Sequence, residues 1–147
     1  MDVSEKIKTL VAEFTAFSNW EDRYKRLIEI GKELAPMGIE AKTEVNKIKG
    51  CQSQVWLTAK VEAGKIFFSA DSDASIVKGI IALLLKVYSG ETPDTILSLK
   101  PTFLEEIGLK QHLSMSRANG LNAMVKQINL YALAFKAQAQ MQKENRK

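Results

Sequence analysis

The stretch Val55-Trp56-Leu57-Thr58-Ala59-Lys60-Val61-Glu62-Ala63-Gly64-Lys65-Ile66-Phe67-Phe68-Ser69-Ala70 decides the fold. Val55, Leu57, Ala59 and Val61 alternate with more polar positions, and Trp56 alone interrupts the polar set. A period of two is the pattern of a half-buried strand. Glu62-Ala63-Gly64-Lys65 is a short turn carrying a glycine, and Ile66–Ala70 is the returning strand. Two β-rich runs joined so tightly predict an antiparallel hairpin. Trp56 reads as a core or interface anchor, because large aromatic side chains bury most of their area.

Downstream, the period changes to that of a helix. Ile76, Val77, Ile80, Leu83, Leu84 and Val87 give a broad apolar face over Ala74 to Ser89, so this helix should pack centrally on the sheet. Asp71-Ser72-Asp73 precedes it, and any of the three side chains can accept from the free N–H groups of the first turn. Gly79 permits a close backbone approach, and Gly90 supplies a stop. Thr92-Pro93 starts a short helix through Leu97, and Pro101 starts another that Gly108 ends. After a link over Leu109–Met115, Leu121, Met124, Val125, Ile128, Ala132 and Phe135 place one stripe on a last helix, from Ser116 toward Lys143.

Upstream, Ser4 reads as the cap of a first helix bearing Ile7, Leu10, Val11 and Phe14. A second helix runs from Trp20 to Leu34, closed by Pro36 and Gly38. Val45–Ile48 reads as a third strand. The expected architecture is α+β: a small antiparallel three-stranded sheet flanked by helices. No linker or repeat divides the 147 residues, so one domain is expected over 1–147.

Between the third strand and the hairpin lies Lys47-Ile48-Lys49-Gly50-Cys51-Gln52-Ser53-Gln54, which holds the only cysteine. A thiol on a loop between strands is held by a scaffold yet stays reachable. Lys42, Lys47 and Lys49 lie nearby in sequence, and positive charge favours the reactive thiolate. The plainer alternative, a small buried hydrophobe without chemistry, stays open.

Other chemistry is poorly supplied. One Cys and one His cannot make a zinc site, and Asp71-x-Asp73 lacks the spacing of a calcium loop. Neither a metal nor a cofactor of the chain's own is expected. A Cys51–His112 hydrolase is formally possible, but His112 suits a hydrogen-bonding or packing role. The net charge is +4, yet 21 basic residues interleave with 17 acidic ones, which argues against nucleic acid. The basic end Lys143–Lys147 reads as a solvated, fraying helix end. The longest apolar run, Ile80–Leu85, is too short to cross a bilayer, and the start lacks a signal peptide's basic and apolar regions. No membrane partner and a cytoplasmic location are the expectations. What a lone thiolate can do is exchange sulfur, and a second thiol would only collapse the persulfide into a disulfide.

Gly50-Cys51-Gln52-Ser53-Gln54-Val55-Trp56, Ala70-Asp71-Ser72-Asp73-Ala74-Ser75-Ile76-Val77-Lys78-Gly79 and Gln111-His112-Leu113-Ser114-Met115-Ser116-Arg117-Ala118-Asn119-Gly120-Leu121 resemble the SufE family in order and spacing. Its members accept sulfur from cysteine desulfurases in iron–sulfur cluster assembly and resemble the iron–sulfur scaffold fold. The resemblance implies that Cys51 receives sulfane sulfur from a pyridoxal-phosphate-dependent desulfurase, stimulates that enzyme and passes the sulfur to a scaffold complex. The chain would then be an accessory carrier rather than a stand-alone enzyme. Gly50, Gln52 and Ser53 would shape the loop. For Asp73 and Arg117, holding the loop or the partner stands beside simple helix capping and an exposed first-turn position. A homodimer also stays open. A persulfide exposed to ambient thiols would be lost, so the loop should shelter Cys51 and swing outward on docking, with Gly50 as hinge. A non-catalytic adaptor with an inert cysteine is the competing reading.

Overall fold

The computed structural model describes residues 2–145. Its sheet is the expected hairpin, β1 (Val55–Glu62) against β2 (Lys65–Ser72), in register from Val55 opposite Ser72 to Glu62 opposite Lys65. Ala63 and Gly64 make the two-residue turn with φ of 52° and 77°. Positive φ at both central positions matches the twist of the flanking strands. Along β2, Ile66, Phe68 and Ala70 face the core while Phe67 and Ser69 face outward.

The sheet has two strands, not three, because the segment before Cys51 turns away. Ile48 N–H donates to Val55 O (2.8 Å) and Leu57 N–H to Asn46 O (2.9 Å), leaving a single bridge between Lys47 and Trp56. One residue pair earlier the backbone closes on itself: Asn46 N–H donates to Thr43 O and Lys47 N–H to Glu44 O. The Asn46 side chain caps this turn by donating to Ala41 O (2.8 Å). A side chain that offers the backbone a local partner competes with ladder formation. On the opposite edge Ile66 bridges Glu91 in the same single-pair fashion.

Helix α1 (Val3–Thr15) is capped by Asp2, whose carboxylate accepts from Glu5 N–H (2.9 Å), rather than by Ser4. Helix α2 (Trp20–Lys32) starts at Asn19, whose side chain accepts from Asp22 N–H. A single 3-10 turn, Ile39–Ala41, leads into the loop. Helix α3 (Ser75–Tyr88) is apolar nearly all round and forms the centre of the core. Then come α4 (Pro93–Ser98), α5 (Phe103–Ile107), the one-turn α6 (Leu109–His112) inside what reads as a link, and α7 (Met115–Asn145). Lys143 and Glu144 are exposed at the end of α7, while Arg146 and Lys147 of the basic tail lie outside the described residues. No helix among the described residues is long and apolar enough to cross a membrane.

The aspartates before α3 do not cap it. Ala74 occupies the cap position without a side-chain bond. Asp71 belongs to β2 and lies between Lys42 Nζ (2.9 Å) and Lys78 Nζ (3.3 Å). Burial pushes its carboxyl up, but the two ammonium groups and Ser72 N–H together hold it below its ordinary value.

Helices α2 and α3 meet where both lack a side chain. A Cβ on Gly79 would stand 2.2 Å from Leu27 O, and one on Gly31 would stand 2.9 Å from Gly79 N. The obstruction is backbone, so it cannot rotate aside. Gly79→Ala should therefore cost about 2 kcal/mol or more through overpacking, against a helix-propensity gain of about 1 kcal/mol at most. Thermal denaturation should show Tm lower by about 4–8 °C per 2 kcal/mol lost; an unchanged Tm would mean that the helices separate freely.

Candidate functional site

The loop that carries Cys51 starts with a turn at Lys49-Gly50 and ends where β1 begins. Gly50 has φ 96°, a left-handed conformation that glycine takes without strain, and a Cβ there would reach Ala123 Cβ of α7 at 3.3 Å. This turn lays Cys51 across α7 at Gly120. The thiol Sγ donates to Gly120 O over 3.7 Å, and a Cβ on Gly120 would come within 3.3 Å of Sγ. The sulfur rests on a stretch of helix with no side chain, against the backbone itself.

Around the sulfur is a cavity of about 380 Å³. Val77 and Ile80 of α3 and Met124 of α7 give it an apolar lining; Gln52, Ser53, Ser114, Ser116 and Arg117 supply polar groups. Cys51 is half-buried. Burial pushes its thiol above the ordinary cysteine value. The lysines nearby in sequence do not reverse this. Lys42 pairs with Asp71 and lies over the Trp56 ring (5.4 Å), and Lys47 pairs with Glu44 (2.9 Å). Of the three lysines, Lys42 and Lys47 are thus committed to carboxylates, and Lys49 lines a neighbouring groove rather than the Cys51 cavity.

Each residue singled out in sequence has a definite place. Gln52 is exposed and Ser53 half-buried, and both line the cavity. Asp73 turns back toward the loop: its Oδ1 accepts from Gln54 N–H (3.0 Å), while its own N–H donates to Gln54 O (3.3 Å). These two bonds clamp the end of the cysteine loop to the entry of α3. Arg117 also lines the cavity, with its guanidinium on the Tyr24 hydroxyl and 6.0 Å from that ring's centre. His112 is not part of the site. It stacks on Trp20 (ring centroids 4.5 Å apart, planes 15°) with Nδ1 3.0 Å from Gly108 O, and it does not line the Cys51 cavity. Among the described residues, no cluster of three or more His, Cys, Asp or Glu could hold a metal ion.

Gly120, Met124 and Tyr24 belong to the site without having been singled out. For Gly120 a signal existed: an isolated glycine inside a helical pattern marks a close packing contact. Tyr24 offered none, since an aromatic at helical spacing with Leu27 and Ile28 reads as packing.

The family model described as the SufE Fe-S metabolism associated domain matches residues 8–132, which include the whole cysteine loop, the Asp73 clamp and the Gly120 turn. The chain belongs to the SufE family. The chain is 43% identical over 126 residues to an uncharacterized SufE-like protein of Synechocystis sp., covering 86% of this chain and 79% of that one. Its fold also matches the solution structure of a hypothetical protein from Thermus thermophilus, with a TM-score of 0.73 and 25% identity, over 88% of this chain and 94% of that one. SufE membership ties the chain to iron–sulfur metabolism.

A raised thiol pKa means less thiolate at any fixed pH, so isolated SufE chain should react slowly. Iodoacetamide kinetics should give a pH midpoint above that of a free cysteine. Asp73→Ala, which removes the side-chain bond of the clamp on Gln54 and leaves its backbone bond, should speed alkylation about fivefold, the factor corresponding to a hydrogen bond of ~1 kcal/mol. A midpoint at the free-cysteine value would contradict the shelter.

Proposed function

We propose that the protein is a sulfur carrier that works through Cys51. The observation supporting this reading most strongly is that the chain's one thiol rests half-buried at a cavity, on a glycine turn of α7, at the start of a loop entered through Gly50. The donor is the persulfide of a pyridoxal-phosphate-dependent cysteine desulfurase. The Cys51 thiolate attacks the outer sulfur of that persulfide, a new S–S bond forms on Cys51, and the donor's S–S bond breaks. The donor cysteine leaves as thiolate and takes up the proton that Cys51 gave up. The sulfane sulfur keeps its oxidation level, so the exchange needs no outside oxidant.

Clearing the donor cysteine stimulates the desulfurase. A thiol of the iron–sulfur scaffold complex then attacks the outer sulfur on Cys51 and returns the carrier to its thiol form. Because the chain has a single cysteine, no second thiol of its own can collapse the persulfide. The cavity of about 380 Å³ has room for the added atom, with Val77, Ile80 and Met124 forming the apolar part of its wall. Gly50 is the hinge, Gln52 and Ser53 shape the loop, Asp73 fixes its far end, and Arg117 at the cavity meets the partner. A thiol held above its ordinary pKa stays inert until docking moves it. This reading places the protein in a reducing compartment, the cytoplasm.

Incubation with a cysteine desulfurase and free cysteine, followed by intact-mass spectrometry, tests the proposal. The wild-type chain should gain at least one sulfur atom, lost again on reduction, and Cys51→Ser should gain none. An unchanged wild-type mass with desulfurase binding preserved would favour the inert adaptor instead.

A further inference from the structure

A second groove lies beside the cysteine site, between residues 44–49 and the outer face of α7, with a volume of about 370 Å³. It and the Cys51 cavity flank the contact of Gly50 with Ala123: Ala123 lines the groove, while Gly120, nearly one turn earlier, carries the thiol. Two aliphatic side chains line it in the open, Val45 at 92% exposure and Leu130 at 47%. Lys47, Lys49 and Lys126 stand with them. Lys47 has Glu44 as partner, whereas Lys49 and Lys126 have no ion-pair partner among the described residues.

Charge distribution sets this face apart. Residues 42–51 and 115–130 hold Lys42, Lys47, Lys49, Arg117 and Lys126 against Glu44 alone, an excess of four that equals the net +4 of the whole chain. The remainder of the sequence is neutral in sum. Within those spans Lys42 is paired with Asp71 and Lys47 with Glu44. Among the described residues this leaves Lys49 and Lys126 as the uncommitted cations of the groove, and such cations beside a reactive group steer partners of opposite charge toward it. Exposed aliphatic groups beside the lysines suit a polypeptide side chain rather than a phosphate backbone.

We propose that this groove seats an acidic segment with an apolar tip, belonging to the sulfur donor. The inference rests on the carrier reading for the identity of the donor. Lys49 and Lys126 pair with the segment's carboxylates, and Val45 and Leu130 cover its apolar residue. Docking there pulls on Lys49, which is joined directly to the Gly50 hinge, so occupancy of the groove is transmitted to Cys51.

Isothermal titration of the full chain with a pyridoxal-phosphate-dependent cysteine desulfurase of the same organism, at about 50 and about 300 mM NaCl, tests this. Wild type should bind more weakly at high salt. The double variant Lys49→Glu/Lys126→Glu should bind about tenfold or more weaker at low salt and lose most of the salt dependence. Lys49→Gln/Lys126→Gln should fall between, which guards against a folding defect, as should an unchanged circular dichroism melt. Val45→Ser/Leu130→Ser should weaken binding similarly at both salts. Charge-reversed protein binding within about twofold of wild type would overturn the proposal. So would a labelled single-stranded RNA that binds through the same lysines more tightly than the desulfurase. Intact mass separates the two claims: sulfur gained with binding unaffected by the lysines sinks the groove alone, whereas lysine-dependent binding without sulfur gain sinks the carrier reading alone.

Discussion

The site depends on how closely the cysteine loop can approach α7. Cys51 Sγ reaches the backbone at Gly120 because that turn of the helix bears no side chain, and any Cβ there would meet the sulfur at 3.3 Å. Gly50 makes the approach possible from the other side, through a left-handed turn seated against Ala123. A thiol held on helix backbone beside Val77, Ile80 and Met124 is partly removed from water, and its pKa rises for that reason. Partial burial and a raised thiol pKa therefore have the same physical cause.

The packing of the core makes this approach durable. Helix α3 lies against α2 at the Gly31–Gly79 contact and offers Val77 and Ile80 to the cavity from the same length of helix. The carboxylate of Asp71 draws Lys42 and Lys78 onto the end of β2, and Lys42 also covers Trp56. Charge that sequence proximity would assign to the thiol is in this way spent on anchoring the loop's approach to the sheet. What remains uncommitted, Lys49 and Lys126, faces the neighbouring groove.

Local pattern revealed most of the framework. The alternation in Val55–Val61, the glycine turn and the apolar face of α3 need no knowledge of distant contacts, and helix stops at Gly90 and Gly108 follow from φ values of 84° and 90° that suit glycine. The failures are equally local in origin. Val45–Ile48 has the composition of a strand, yet Asn46 diverts it by bonding Ala41 O. Asp71 and Asp73 look like caps because they precede a helix, but β2 runs on to Ser72, and Lys42, Lys78 and the Gln54 backbone claim the two carboxylates. Cys51 stood out from its loop, and the structure sets it at a cavity; Gly120 and Tyr24 did not, since their place beside it depends on α7 and α2 converging from distant positions in the chain. Sequence likewise gives the proximity of Lys42 and Lys47 to Cys51 but not the carboxylates that hold them.

The central claim is that Cys51 rests sheltered and is brought out by its partner. Its most direct test is the rate at which a small neutral alkylating reagent modifies Cys51 in the presence of a desulfurase whose own nucleophilic cysteine has been changed to serine, so that no sulfur moves. The account predicts a clear rise in rate as desulfurase saturates the chain, with no such rise when an unrelated protein is added. A rate that stays equal or falls on saturation would contradict it.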